Sequence, residues 1–395
     1  MLLLATVAVA YATCWLQCVG AFVHVLPFRA VGDAGHRKIV DSPSVHKAPA
    51  EPAILEADTD NVFTMTVAFW AEVARAAEAP EPSHDVFLMM PDCEQGAMEL
   101  LVNSYRDLGD KLGDRLPDLK AVEVSFDFPP GATRLKGFHI RSAGEPYKLG
   151  SPAAAAAGVE QLRAWVERVV VGLRVCPFTH SVDIAPAGLE KRGVTPGFIG
   201  YPVTRSTCTA GVLRDFWAET LTMLSTPPEQ TSTLLLSAPC FARDFNTWAA
   251  FTEAMIASLR LFRVDDMIKV IVFHPDYVRS HVQPTESPAH GHLPPTSWMP
   301  KMMENFYKGL QEDFPYGASD FQRRAPCPAI NVLRADMLEN AVVESLVDLG
   351  GQRRFTRVSG AKVYCANTKN LAAVGVDVLQ EELERETRAV AALQE

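Results

Sequence analysis

Hydrophobic side chains recur in two alternating patterns along the central part of this chain. At 159–175 and 211–225 they return every three or four positions. At 232–237 and 267–273 they form short, nearly continuous runs. The first pattern is that of a helix, and the second is typical of a strand covered on both faces. Because strands separated by helices imply right-handed crossovers, the pattern predicts an α/β fold with helices packed on a mainly parallel sheet.

The same alternation continues towards the C-terminus and indicates one large domain over residues 159–395. Pro202 restricts the first strand of this domain to an edge or a bulge, since proline cannot donate a ladder hydrogen bond. The remaining predicted elements are a strand at 199–203, a helix at 245–259, a strand at 329–333, and two closing helices at 335–348 and 369–392.

The first part of the chain carries a fainter copy of this pattern. The motif FWAE at 69–72 returns 147 residues later at 216–219. Cys93 and Cys240, and likewise Phe126 and Phe273, have the same spacing. Coincidence is the alternative, because pairwise identity is low. The shared order of helix, strand, helix and strand favours a decayed duplication.

We therefore predict a degenerate α/β half-repeat at 62–141 and a linker at 142–158, followed by the main domain. The spacing of 147 places His274 opposite Asp127, so the half-repeat is expected to keep the fold without the site. Its expected role is to extend or cover the second copy's sheet.

The N-terminus has the pattern of a secretory signal peptide. Apolar residues fill 2–12, and Val19 and Ala21 stand at the small-residue positions of a cleavage site. We predict a signal peptide at 1–21 and a mature chain that begins near Phe22. The alternative is an uncleaved membrane anchor over residues 2–28.

The segment that follows is read as a transit peptide and linker, residues 22–61. Between positions 29 and 50 it carries four basic and two acidic side chains, whereas the whole chain is acidic. A phenylalanine at the cleavage point before a basic segment resembles the bipartite presequences of algae whose plastids lie within the secretory system. This resemblance implies a plastid protein that is not stably inserted in a membrane after cleavage.

Composition and charge restrict the partners of the mature protein. The chain has 395 residues, 48% of them hydrophobic, which is ordinary for globular domains. Its formal net charge is -10, and the resulting field repels phosphate backbones. Nucleic acid is therefore not an expected partner, and the oligomeric state is left open.

The cysteines form neither a disulfide framework nor a metal site. The six that remain after cleavage are widely spread and contain no CxxC pair. The AHGH segment at 289–292 has no third ligand near it, so no metal is predicted. The chain has no GxGxxG, P-loop, GxSxG, HExxH or EF-hand motif, and its cofactor, if any, is unknown.

Three blocks resemble the signature of the family called domain of unknown function 1415. They are GLRVCPF at 172–178, FHPDY at 273–277 and RRAPCPAINVLR at 323–334. The third block departs from the family pattern at Arg323 and Asn331, among other positions. The resemblance covers about residues 159–385 and implies no established activity.

Several chemically capable side chains follow the predicted strands. In parallel sheets, ligands bind beyond the carboxyl ends of the strands, where His274 and Arg334 are expected to converge. Cys176 is the candidate nucleophile, with a buried structural thiol as the alternative. His274 is either a general base or a hydrogen-bonded structural histidine. Further candidates for substrate binding are Asp276, Tyr277, Arg324 and Arg334, the two arginines as an anion site.

Two functions are consistent with these residues. One is a small-molecule enzyme of the plastid that uses Cys176 and His274 and holds an anionic substrate with Arg324 and Arg334. The other is a non-catalytic ligand-binding or assembly protein in which the CPF and RAPCP segments are structural. The sequence leaves open whether the protein is an enzyme.

Overall fold

The computed structural model describes most of the chain after residue 51. The described residues are 52–59, 61–78, 84–176, 179–186, 190, 194–242, 244–279, 293, 296–309, 313–340, 344–349, 352–357 and 360–393. The predicted signal peptide and most of the predicted transit segment lie outside them. None of the helices within these ranges combines the length and hydropathy that crossing a bilayer requires.

A four-stranded sheet with two helices forms the first half of the structure, residues 52–142. The strand order is β1-β2-β4-β3, with β1 parallel to β2 and β4 antiparallel to both of its neighbours. The elements are β1 (Ala53–Glu56), α1 (Val62–Glu78), β2 (Asp85–Met89), α2 (Gln95–Leu112), β3 (Val122–Asp127) and β4 (Gly137–Ser142).

The second half, residues 151–393, is built around a five-stranded sheet of order β5-β6-β7-β9-β8. Its first helix, α3 (Pro152–Trp165), continues as a π-helical segment, Val166–Gly172. Helix α3 thus includes the alanine run that the sequence analysis assigned to a linker. The following elements are β5 (Ile184–Ala185), β6 (Gly197–Gly200), α4 (Thr209–Ser225), β7 (Thr233–Ser237), α5 (Phe245–Leu261), β8 (Ile268–Phe273), α6 (Met299–Phe306) and β9 (Ala329–Arg334).

The C-terminal elements depart from the predicted pair of helices. The helix predicted at 335–348 ends at Asn340, and the rest of that range belongs to a hairpin, because Glu344–Leu349 pairs with the strand after it. The helix predicted at 369–392 is interrupted at Gly375, whose φ of 98° favours glycine. The elements are α7 (Ala335–Asn340), β10 (Glu344–Leu349), β11 (Gln352–Arg357), α8 (Gly360–Val374) and α9 (Val376–Ala391).

The second sheet is mixed, which corrects the expectation of a mainly parallel sheet. Strands β6 and β7 are parallel, but β9 lies between β7 and β8 and is antiparallel to both. The apolar run at 329–333 predicts a strand, and it does not encode the direction in which that strand enters the sheet. The coarser prediction of a fold that mixes helices and sheets is confirmed.

The two halves share one arrangement of elements. Each contains strand, helix, strand, helix, strand and strand, and in each the last strand lies antiparallel between the two before it. Helices α1 and α4 both have 17 residues.

The halves pack through their helices, α1 against α4 and α2 against α5. One hydrophobic core includes residues of both halves, such as Trp70 and Trp217, and the Phe63 ring meets the Trp217 ring edge-on at 5.2 Å. The first half therefore covers helices of the second half, whereas we expected it to extend or cover the sheet. Helix α3 contacts β7, and the predicted division of the chain at 142–158 stays a prediction.

Candidate functional site

The three blocks meet the second sheet at different ends. His274 directly follows β8, and Arg324 precedes β9, whose first residue Ala329 pairs with Phe273. Arg334 is the last residue of β9 and pairs with Ile268 at the start of β8. Because β9 runs antiparallel, Arg334 lies at the opposite end of the sheet. The expected convergence of His274 with Arg334 is therefore wrong.

Arg334 closes the C-terminal end of helix α4. It is 8% exposed, and its guanidinium donates to the backbone oxygens of Met223, of Thr226 at 2.7 Å and of Thr231 at 3.0 Å. The last carbonyl groups of a helix have no N–H partner within the helix, so a buried side-chain donor can satisfy them. Burial lowers the pKa of Arg334. The structure thus does not bring Arg334 together with Arg324 as one anion site.

His274 is enclosed and uses both ring nitrogens. Its side chain is 0% exposed between the rings of Phe245 and Trp248. Nε2 lies 3.0 Å from the Ala242 oxygen, and the Asp276 N–H donates to Nδ1 at 3.0 Å. This pairing fits a neutral ring with the proton on Nε2. Burial lowers the pKa of His274, against the effect of the hydrogen bond to the Ala242 oxygen. A role as general base stays a prediction, and it would require one of these hydrogen bonds to break.

Cys176 lies just after the π-helical segment. Its N–H donates to the Val170 oxygen at 3.4 Å, and its own oxygen accepts from the Thr179 N–H. Cys176 is partly exposed and follows the C-terminal end of a helical segment. Within the part of the chain that the structure describes, no hydrogen bond joins Cys176 to His274. The nucleophile role stays a prediction, and the neighbouring residues 177–178 lie outside the described ranges.

Tyr277 and Arg324, by contrast, do lie together. Arg324 Nε donates to the backbone oxygen of Tyr277 at 3.2 Å, and Arg324 Nη1 donates to Gln380 Oε1 at 3.2 Å. The guanidinium also stacks 4.8 Å from the centroid of the Phe321 ring. Asp276 is exposed next to Tyr277. Two of the four predicted binding residues are thus in contact, with Asp276 beside them.

A buried pair of arginines at this end of the sheet escaped the sequence analysis. Arg279 is 2% exposed, and its Nε lies 3.1 Å from Asp320 Oδ1, while a terminal nitrogen donates to Ser319. Arg323 is 7% exposed, donates to the Gln322 oxygen at 3.0 Å and stacks 5.8 Å from the Phe273 ring. Their positions in the sequence gave one indication of this pair. Arg279 lies two residues after the second block, and Arg323 is the first residue of the third.

The charge of Arg323 acts on Arg279, and both arginines act on Tyr277. Burial lowers the pKa of Arg279, and the charge of Arg323 lowers it further, against the effect of Asp320. Burial raises the pKa of Tyr277, and both arginines oppose that rise. We call Tyr277, Arg279, Asp320 and Arg323 the arginine cluster. It combines a phenol and two forked cations with one carboxylate.

Amide and hydroxyl groups extend the cluster towards helix α8. Gln322 is 1% exposed and contacts the Thr368 hydroxyl, and its oxygen accepts from Asn367 Nδ2 at 2.9 Å. Among the described side chains, no three His, Cys, Asp or Glu groups form a metal-binding set. The AHGH segment at 289–292 lies outside the described residues.

The first half has a separate cavity of about 530 Å³ beside the edge strand β3. Two side chains of α2 donate hydrogen bonds to backbone oxygens of that strand. The Tyr105 hydroxyl donates to the Val122 oxygen at 3.1 Å, and Arg106 Nε donates to the Val124 oxygen at 3.1 Å. None of the candidate site residues lines this cavity. We infer that Tyr105 and Arg106 protect the exposed edge of β3 from pairing with another strand.

Comparison with known proteins bears on the second half of the chain. Residues 157–290, about a third of the chain, match the model of a family described as "Protein of unknown function (DUF1415)". The chain matches no curated protein and no solved structure. The first two blocks fall inside the matched range, whereas the third lies beyond it. The resemblance read from the sequence is thereby confirmed, and residues 157–290 carry the signature of the DUF1415 family.

Proposed function

We propose that the protein binds a small anionic molecule at the arginine cluster. The observation that carries this proposal is the burial of Arg279 and Arg323, both less than a tenth exposed, near enough that one lowers the pKa of the other. Burying a charge is costly unless it is compensated, and a second like charge adds to the cost. Asp320 compensates the charge of Arg279, and a bound carboxylate or phosphate group would compensate the second positive charge.

The geometry of the side chains supports recognition of an oxyanion. Guanidinium groups present parallel N–H donors that match the oxygens of a carboxylate or phosphate. The Tyr277 hydroxyl can donate a further hydrogen bond, and Arg324 is held beside Tyr277 by its bond to the backbone. Arg279 and Arg323 are almost completely buried, so water competes less for the anion.

A binding protein is supported better than a Cys–His enzyme. Both nitrogens of His274 take part in hydrogen bonds with the backbone, and among the described residues no hydrogen bond joins Cys176 to His274. The arrangement around His274 and Cys176 is thus that of structural side chains, while the two buried arginines bring two positive charges close together.

Calorimetric titration of the full chain with phosphate, sulfate and citrate tests the proposal. We expect binding of at least one of these anions, weakened by about 10- to 100-fold in Arg279→Gln and in Arg323→Gln, because a charged hydrogen bond contributes roughly 1.5–3 kcal/mol. Arg263→Gln removes the same charge from an exposed ion pair and serves as the control. Equal affinities in all four proteins, each shown to be folded by circular dichroism, would refute the site.

We also propose that the protein acts in a plastid reached through the secretory pathway. The support is the uncharged N-terminal run that ends in small residues, followed by a basic segment. N-terminal sequencing of the protein from its native cells should find a start near Phe22 or later. An intact Met1 in the membrane fraction would instead support the anchor at residues 2–28.

Finally, we propose that the two halves arose by duplication. The support is the common strand order and the constant spacing of 147 between FWAE motifs and between the first residues of α1 and α4. Related sequences should align 62–127 with 209–274 without a gap. Relatives in which the two segments drift to different lengths and element orders would contradict a common origin.

A further inference from the structure

Helices α1 and α4 begin in different ways although they stand at equivalent positions of the two halves. At the start of α1, Asn61 Oδ1 accepts the backbone N–H groups of Phe63 and Thr64, both at 3.0 Å. The residue before α4 is Cys208, whose side chain forms no capping hydrogen bond. A thiol is a weak acceptor, so a cysteine here leaves the first N–H groups of the helix in need of another partner.

The first half supplies that partner. Asp118 lies 91 residues earlier in the chain, and its carboxylate accepts the Thr209 N–H and also the Thr209 hydroxyl, the latter at 3.0 Å. Asp118 is 7% exposed, so this contact is shielded from water. A carboxylate at a helix N-terminus also interacts favourably with the helix dipole.

A second carboxylate of the first half contacts the same turn. Glu78, the last residue of α1, forms an ion pair with Arg214 of α4. Its other oxygen faces Gly211, where an added Cβ would lie 2.3 Å from Glu78 Oε1. Glycine at this position is therefore what allows the carboxylate to approach the helix so closely.

We propose that the first half acts as an intramolecular capping partner of the family segment: Asp118 caps the first turn of helix α4, and Glu78 adds an ion pair with Arg214 of the same helix. Helix α4 lies within residues 157–290, so the matched family segment of this chain depends on contacts from outside itself. The first half thus has a role of its own, which is to hold the first turn of α4.

Hydrogen exchange of the full chain tests this role at a distance. Asp118→Ala should raise the exchange of the amides at 209–212 by about 10-fold or more and lower the melting temperature by about 2–8 °C. Asp114→Ala removes a carboxylate that is fully exposed in the same loop, and it should change neither quantity. If Asp118→Ala does not fold, Asp118→Asn, which keeps one acceptor oxygen, is measured instead.

A rescue experiment separates capping from a general loss of packing. Cys208→Ser places a good capping oxygen locally, so in the Asp118→Ala background it should restore at least half of the lost protection at 209–212. In the wild type the same change should have little effect. Unchanged exchange in Asp118→Ala, or no recovery with Cys208→Ser, would overturn the proposal.

Discussion

His274 and Arg334 stand at opposite ends of the second sheet, and each binds backbone atoms of a neighbouring loop or helix end. His274 holds the turn around Ala242, whose φ is 45°, and Arg334 holds the end of α4. A side-chain type that is common in active sites is also well suited to satisfying buried carbonyls. At the scale of the residue, therefore, the same side chain fits either role, and in this structure both His274 and Arg334 bind backbone atoms.

The buried His274 should make stability depend on pH. Its folded pKa lies below the ordinary value of 6.5, so its contribution to stability is present above pH 6.5 and is lost as the pH falls through the folded pKa. Urea midpoints of the wild type should decrease between pH 7.5 and 5.5. His274→Asn should be less stable at pH 7.5 and should lose less stability on acidification. Parallel pH profiles for His274→Asn and the wild type would argue against this origin.

Arg334 should matter for stability and not for anion binding. Arg334→Leu removes the side-chain donor from the Thr226 and Thr231 oxygens and one of the donors to the Met223 oxygen, which we expect to cost about 2–4 kcal/mol in the free energy of unfolding. Urea denaturation measures the loss, and titration at low temperature should show an unchanged affinity for the anion. A loss of anion affinity without a loss of stability in Arg334→Leu would instead indicate that Arg334 binds the anion.

Among the secondary-structure elements, the edge strand β3 illustrates how side chains can prevent a strand from pairing with a strand of another molecule. Tyr105 and Arg106 occupy outward carbonyls of β3 that would otherwise be open to another strand. The C-terminal helices show a different effect, because the periodicity over 369–392 is continuous and Gly375 nevertheless divides it.

Removing the cover of β3 should promote self-association. We expect Arg106→Ala to form larger species as concentration rises, because the freed Val124 oxygen can accept a strand from another molecule. Light scattering of the variant at increasing concentration measures this, with Lys111→Ala on the same helix as the control. Identical scattering in the two variants would mean that Arg106 does not protect the edge.

The molecule as a whole depends on contacts between equivalent helices. Trp70 and Trp217 stand at the same place in the two FWAE motifs, are almost completely buried and belong to one core. Because each half covers the other's helices, neither half has an independent apolar interior on that side.

The shared core predicts one cooperative unfolding transition. Trp217→Ala should lower the free energy of unfolding by about 3–5 kcal/mol and destabilise both halves together. Hydrogen exchange of β2 and of β7 should report the same midpoint in urea. Two separate midpoints would indicate two domains, in agreement with the division at 142–158.

The sequence by itself determined the local elements with long, unambiguous patterns. The helices at 211–225 and 245–259 and the strands at 232–237 and 267–273 follow from side-chain periodicity, which burial of one helix face or of a whole strand imposes. The family blocks and the spacing of 147 are likewise properties of the letters alone.

Only the tertiary structure decided the direction of β9, the surroundings of His274 and the burial of Arg279 and Arg323. Strand direction depends on how a long connection returns, and burial depends on side chains that are distant in the sequence. Asp118 beside Thr209 is the clearest case, since a contact across 91 residues has no local signature. Chemistry that arises from such contacts follows from packing, which no short motif encodes.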